Sequence, residues 1–275
     1  MGARQARNRG GRIMTAQELN AYLNSLVSEL PEKSVDRVIY GDPGAAVKGI
    51  AVAWMPYRQT VVAAAQAGAN VMVVHEPTFY QHWDLDGEPA DQAQVEAKKR
   101  LLEEHGITVI RCHDVWDAMP DIGIPFAWGE FLGLGAPETA VRHYNIYRIA
   151  PRPAGEVAEM IAARTSSLGQ STVGFYGDPE RPVGTVGLGT GCISDPFTIY
   201  GLGADLAISV DDVVRSWIAG EWCQDTGKPL VVVNHCVSEE PGMASLARFL
   251  SEKLPGIPVT HIRQGLTYAA IGAAG

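Results

Sequence analysis

The chain has no apolar run approaching the roughly 20 residues that a bilayer-spanning helix needs, which excludes a helical membrane protein. Cysteine is sparse. Cys112, Cys192, Cys223 and Cys236 form no C-x-x-C pair and lack the density of a disulfide scaffold, so a reducing, cytoplasmic setting is expected. Positive charge is in deficit: a net charge of -9 over 275 residues argues against a nucleic-acid surface, since phosphate binding needs clustered cations, whereas a small polar ligand or a metal centre suits it. There is no Gly-x-Ser-x-Gly elbow and no phosphate-binding loop, and Gly187, Gly189 and Gly191 read as a tight turn. The first thirteen residues carry Arg4, Arg7, Arg9 and Arg12 among glycines without a hydrophobic segment, so they read as a short disordered extension and not as a secretory signal.

What is present is an ordinary globular composition, 46% apolar and 19% charged, in a chain long enough for one large α/β domain or two smaller lobes. Thr15 and Glu18 form a capping box before Leu19, Leu23, Leu26 and Leu30, which predicts a first helix running to Pro31. From Val47 the pattern alternates. Strands are expected over 47–54, 70–74, 107–110, 184–188, 206–209, 229–233 and 258–262. Helices are expected over 58–67, 91–104, 121–134 and 154–165, over a stretch capped by Asp211 and Asp212 and running to Trp222, and over 243–254 after Pro241 and Gly242. The expected fold is α/β: two βα-rich lobes, residues 14–136 and 137–275, with mainly parallel sheets covered by helices and a site in the crevice at the carboxyl ends of strands.

The chemistry gathers at three of those ends. The run from Val71 to Val74 stops at His75, Glu76 and Pro77, and proline cannot continue a strand, so both polar side chains should lie at its carboxyl end. Side chains alternate along a strand, so His75 and Glu76 are expected to serve two neighbouring ions rather than chelate one. The strand at 107–110 runs into His113, Asp114 and Asp117, and that at 229–233 runs into His235 and Glu239. Cys112 and Cys236 sit beside these candidates and are expected to be buried and inert. Mixed nitrogen and oxygen donors suit Zn, Mn, Fe or Co better than Ca or Mg. Three carboxylates, Glu76, Asp117 and Glu239, exceed what one divalent ion collects in such a site and balance two ions with a bridging hydroxide. A single ion is the alternative if Glu76 turns away.

These segments resemble those of the Nif-three-like family, dinuclear-metal toroids often named GTP cyclohydrolase type 2 homologues. That family carries His-His-Pro after a strand, then His-Thr-Asn-x-Asp, then Gly-His with a Glu four residues after the His. This chain reads His75-Glu76-Pro77, His113-Asp114-Val115-Trp116-Asp117, and Asn234-His235 with Glu239, so order and spacing agree. The stretch with Gly123, Trp128 and Leu132-Gly133-Leu134 is similar too, as is Arg181-Pro182-Val183 leading to Gly189-Thr190-Gly191. The resemblance covers nearly the whole chain from residue 19. It departs at Glu76, where the family has a second His, at Asp114-Val115 in place of Thr-Asn, and near Tyr40-Gly41-Asp42, which keeps only the end of the family's Trp-Asp-Asn-x-Gly-Leu region. A carboxylate in place of an imidazole shifts the site toward harder ions such as Mn or Fe.

The resemblance implies His75, Glu76, Asp117, His235 and Glu239 as direct ligands of two divalent ions, with Glu239 bridging ions about 3.5 to 4 Å apart and His113 as the catalytic proton-transfer group. It implies a bridging water of pKa roughly 7 and hydrolytic attack on a purine-type ring carbon, an ester or a phosphoester. The expected partners are a small polar substrate, nucleotides included, and further copies of the chain in a hexameric ring, with no nucleic acid or membrane. The other class is a non-catalytic metal-binding or regulatory scaffold, whose ions stabilise the fold or the assembly.

Overall fold

The computed structural model describes residues 14–84 and 92–271, so the basic extension expected over 1–13 and the helix start expected at Asp91 lie outside the described residues. The chain divides into two compact units. Unit 1 is Met1–Met119 with Met243–Arg263, and unit 2 is Pro120–Gly242 with Gln264–Gly275. The expected boundary after residue 136 is displaced, because the last strand hydrogen-bonds into the first sheet and the helix around Trp128 packs in the second core.

Unit 1 holds the strands β1 (Val38–Tyr40), β2 (Ile50–Ala53), β3 (Val71–Val74), β4 (Thr108–Arg111) and β11 (Val259–His261), in the order β1-β4-β3-β2-β11. All pairs are parallel except β1 with β4. Every residue of β2, β3 and β4 is buried, as a sheet covered on both faces requires. Its helices are α1 (Ala16–Asn24), α2 (Arg58–Gln66), α3 (Gln92–Glu104) and the short α4 (Asp114–Ala118). The capping box of Thr15 and Glu18 is formed, but α1 ends well before Pro31. Polar side chains divert the backbone there: Ser25 Oγ donates to the Tyr22 carbonyl and Asn24 Nδ2 to that of Asp36.

Unit 2 holds β5 (Thr139–Val141), β6 (Tyr144–Pro153), β7 (Gly174–Tyr176), β8 (Pro182–Leu188), β9 (Leu206–Val210) and β10 (Leu230–Val233), in the order β5-β6-β8-β9-β10-β7. Only β8 with β9 and β9 with β10 are parallel, so this sheet is mixed where a mainly parallel one was expected. The hairpin β5–β6 and the edge strand β7 carry weak alternation and left no clear signal. Helices α5 (Ile124–Leu132) and α6 (Ala154–Thr165) enclose a core of Trp128, Tyr147, Val157, Ile161 and Val186. The remaining helices are α7 (Pro196–Gly201), a π-helical turn at Ser216–Gly220, and α8 (Glu221–Thr226). No helix among the described residues is long and apolar enough to cross a membrane.

Two local expectations are corrected. Asp211 and Asp212 cap no helix, since the next helical turn begins at Ser216; their carboxylates are taken by Asn234 and His235. Pro241 does not precede the closing helix but lies inside α9 (His235–Lys253). α9 is buried on both sides of the proline, at Cys236, Val237, Glu239 and Glu240 before it and at Met243, Leu246 and Leu250 after it, and that packing outweighs the single backbone bond it removes.

In unit 2, α5 lies against β6 so closely that a Cβ at Gly129 would come 2.0 Å from the Tyr147 hydroxyl. Gly129→Ala is expected to destabilise the protein by about 1–3 kcal/mol through overpacking, read as a lower urea midpoint at an unchanged slope. An unchanged midpoint would show that the helix can retreat without loss.

Candidate metal centre

Parallel pairing assembles one set of candidate ligands in each unit. In unit 1, Val74 of β3 is in register with Arg111 of β4, so both strands end at the same edge and deliver His75, Glu76, His113 and Asp117 there. The backbone N–H groups of His75 and Glu76 both donate to the Trp54 carbonyl, at 3.0 and 2.9 Å, which curls the chain just past β3. Strand alternation therefore no longer applies. His75, Glu76 and His113 each offer a ligand atom within 4.8 Å of the others, against the expectation that adjacent His75 and Glu76 would face apart.

The imidazole tautomers follow from their partners. His75 Nδ1 lies 3.3 Å from the Cys112 carbonyl, which can only accept, so Nδ1 carries the proton and Nε2 presents its lone pair 3.7 Å from Asp117 Oδ1. The His113 ring stacks on that of His75 with centroids 4.5 Å apart. Its Nδ1 is 3.1 Å from Asp114 Oδ1 and its Nε2 is 3.8 Å from Glu76 Oε1. His113 thus stands among the groups that could hold an ion.

Three charged residues outside the predicted ligand set, Asp36, Arg111 and Asp114, hold this edge together. Asp36 accepts hydrogen bonds from the backbone N–H groups of His113, Asp114 and Val115 at 2.6, 3.1 and 2.7 Å, capping α4 from a distant loop. Burial nevertheless raises its carboxyl pKa, outweighing those bonds. Arg111 is fully buried at the end of β4, donating to the His75 carbonyl at 2.9 Å and reaching Glu76 Oε2 at 3.3 Å and Asp84 Oδ2 at 3.8 Å. For Asp114 burial pulls the carboxyl upward, but hydrogen bonds from His113, Ser34 and the Val35 N–H, with the His113 charge, hold it well below the usual range. A buried arginine at a strand end was the one signal available in advance.

In unit 2, β8, β9 and β10 end side by side, with Leu188 in register with Ile208 and Val210 with Val233. Asp211 and Asp212 follow β9, and α9 begins directly after β10 at His235, so His235 and Glu239 lie one helical turn apart on one face. Asp211 Oδ1 accepts the His235 N–H at 3.0 Å. Asp212 Oδ2 is 2.8 Å from His235 Nδ1, which leaves Nε2 as the donor atom, 3.1 Å from Glu239 Oε1. The hydrogen bond from His235 lowers the Asp212 carboxyl pKa. After β8, Gly191 has φ +56°, and a Cβ there would sit 2.7 Å from Glu239 Oε1 and 3.0 Å from His235 Nε2. Glycine keeps that approach to both ligand atoms open, and imidazole with carboxylate is a fitting donor set for a first-row divalent ion. Cys192, Asp212 and His235 form a second group of close ligand atoms in this unit.

Cys112 and Cys236 are buried, and burial with nearby carboxylates pushes both thiols up, as inert cysteines require. Cys236 donates to Glu240 Oε2 at 3.7 Å.

Residues 14–265 match the family described as Duf34/NIF3 (NGG1p interacting factor 3). The chain belongs to the DUF34/NIF3 family. It is 32% identical over 113 residues to a "GTP cyclohydrolase 1 type 2 homolog" of Chlamydia pneumoniae, covering 40% of this chain and 43% of that relative. It is 34% identical over 114 residues to a protein of the same name from Treponema pallidum, covering 40% of this chain and 38% of that one. The chain thus spans under half the length of these curated relatives. Among solved structures, the hypothetical protein SA1388 of Staphylococcus aureus aligns with a TM-score of 0.78 at 18% identity, covering 94% of this chain and all (100%) of that one, a likeness of fold.

The lowered carboxyl of Asp114 carries a pH signature for this DUF34/NIF3 chain. Its contribution to stability is fully present above the ordinary carboxylate pKa of about 3.9 and is lost as pH falls through the lower folded-state value. Asp114→Asn should therefore be less stable than the parent at neutral pH and close the gap as pH falls below about 4, measured by denaturant unfolding of chelator-treated protein. A gap independent of pH would remove the charge-based account.

Proposed function

We propose that this DUF34/NIF3 chain is a divalent-metal-dependent hydrolase that binds two ions of the Zn, Mn, Fe or Co type through His75, Glu76, Asp117, His235 and Glu239. The observation that carries the reading is that each unit ends adjacent parallel strands in buried imidazole and carboxylate groups. Buried charges of this kind are costly unless paired or coordinated. The names of the curated relatives support a cyclohydrolase-like or phosphoester and nucleotide chemistry. Further copies of the chain, in the hexamer that the family resemblance implies, belong to the same reading.

His75, Glu76, Asp117, His235 and Glu239 would hold the divalent ions, which would supply Lewis acidity and acidify water. The side chains supply the rest. His113, with Nδ1 held by Asp114, has Nε2 available to take a proton and return it to a leaving group. His75 and His235 have their Nδ1 protons fixed by the Cys112 carbonyl and by Asp212, which aims each Nε2 as a donor. Arg111 offsets the charge of Glu76 and holds the segment that carries it.

Elemental analysis of protein purified without chelator or affinity metal is expected to give about two ions per chain, as in two-metal hydrolytic sites. The content should be halved or lost in His235→Ala and should fall by about one ion in Glu76→Ala. Asp212→Ala is expected to weaken metal binding by about 10–100-fold while leaving the fold intact. No metal in the parent chain would overturn the proposal. Two tightly held ions without hydrolysis of nucleotides or phosphoesters would point instead to the non-catalytic scaffold.

A further inference from the structure

In unit 2 the candidate ligands His235 and Glu239 each have a sequence neighbour that bonds to one short segment, residues 264–268. Glu240, one residue past Glu239, accepts the N–H groups of Gln264 and Gly265 at 3.2 and 3.4 Å. Asn234, one residue before His235, donates from Nδ2 to Thr267 Oγ1 at 2.9 Å and accepts the Thr267 N–H at 3.4 Å. Asp211, one residue before Asp212, takes a hydrogen bond from the Tyr268 hydroxyl.

The segment has an anchor of its own. Gly265 has φ +70°, and a Cβ there would run into the Leu168 carbonyl oxygen, to which the Leu266 N–H donates at 2.9 Å. Thr267 and Tyr268 are exposed, Tyr268 at 55%, so these two side chains act on the buried groups through hydrogen bonds and not through packing.

From them to His235 the path is continuous. Asn234 Nδ2 also donates to Asp211 Oδ2 at 3.0 Å, and Asp211 Oδ1 accepts the His235 N–H at 3.0 Å. Thr267 fixes the Asn234 side-chain amide, and Asn234 and Tyr268 together fix the Asp211 carboxylate. The His235 N–H is one of the first donors of α9, which have no partner within the helix, so the carboxylate that takes it sets where the helix starts. The direction of the imidazole, and of Glu239 one turn on, follows from that start.

We infer that Thr267 and Tyr268 are positioning residues for the ion held in unit 2, orienting His235 and the start of α9 through Asn234 and Asp211. The inference rests on the metal-binding reading, which supplies the ion.

The test compares the full chain, stripped of metal by chelator, with the double variant Thr267→Val, Tyr268→Phe and with Thr267→Ser. Hydrogen exchange at the His235 amide, followed by NMR, is expected to quicken about tenfold in the double variant. Zn²⁺ affinity, measured by calorimetry, is expected to fall about tenfold for the ion that His235→Ala also loses. The urea midpoint of the stripped protein should stay at the parent value, and Thr267→Ser, which keeps the hydroxyl, should match the parent in every measurement. Parental exchange and parental Zn²⁺ affinity in the double variant overturn the inference. So does a lower midpoint with faster exchange throughout unit 2, which makes the two residues structural and no more. The two readings fail differently: a parent chain that takes up no Zn²⁺ removes the metal centre and this role with it, whereas Zn²⁺ bound alike by parent and double variant keeps the metal centre and rejects the positioning role.

Discussion

Parallel pairing of adjacent strands is the constraint on which each set of candidate ligands depends. Two parallel neighbours in register must end at the same edge, so whatever follows them in sequence is brought together there. In unit 1 this joins the residues after β3 to those after β4, 37 positions apart by the contact of His75 with the Cys112 carbonyl. In unit 2 it joins Asp211 and Asp212 after β9 to Asn234 and His235 after β10. The two sheets differ elsewhere, one almost wholly parallel and one mixed, yet both keep parallel pairing where the ligands are.

Gathering buried carboxylates and imidazoles has an electrostatic cost, and each unit meets it with hydrogen bonds before any ion is considered. Asp36 takes three backbone N–H groups, and Arg111 is spent on one carbonyl of the ligand segment and two carboxylates around it. In unit 2 the same work falls to Asp211, which accepts from both Asn234 and His235, and to Glu240, which accepts from the N–H groups of Gln264 and Gly265 at 3.2 and 3.4 Å. These contacts fix ring orientation as well as position. A histidine whose Nδ1 proton is committed to a carbonyl or a carboxylate has one donor atom left, and its direction is set by the backbone that carries the partner.

Much of this was legible in the residues. Helix α6 was read at its observed limits, and β3, β9 and β10 were each placed within a residue or so, because continuous apolar runs bounded by turn signals leave few alternatives. The three strand ends with candidate ligands were readable from the residues, and the DUF34/NIF3 family from the resemblance of their motifs in order and spacing. What escaped were features without local periodicity: the exposed β5, the irregular hairpin β5–β6, and β7 at a sheet edge. Pro241 misled because a proline is a strong local break, whereas burial of α9 on both sides of it keeps the helix whole.

Taken alone, the sequence determined which residues bear chemistry and that they follow strands, since strand propensity, proline and polar residue types act within a few positions of one another. It also determined the capping box of α1, a contact between residues three apart. Tertiary structure alone decided that His75 and Glu76 turn to the same side, that Asp36 and Arg111 support them, and that Asp212 serves His235 rather than a helix. Each of these depends on partners 21 to 79 positions away, brought within reach by strand register and burial, and no local pattern encodes that distance.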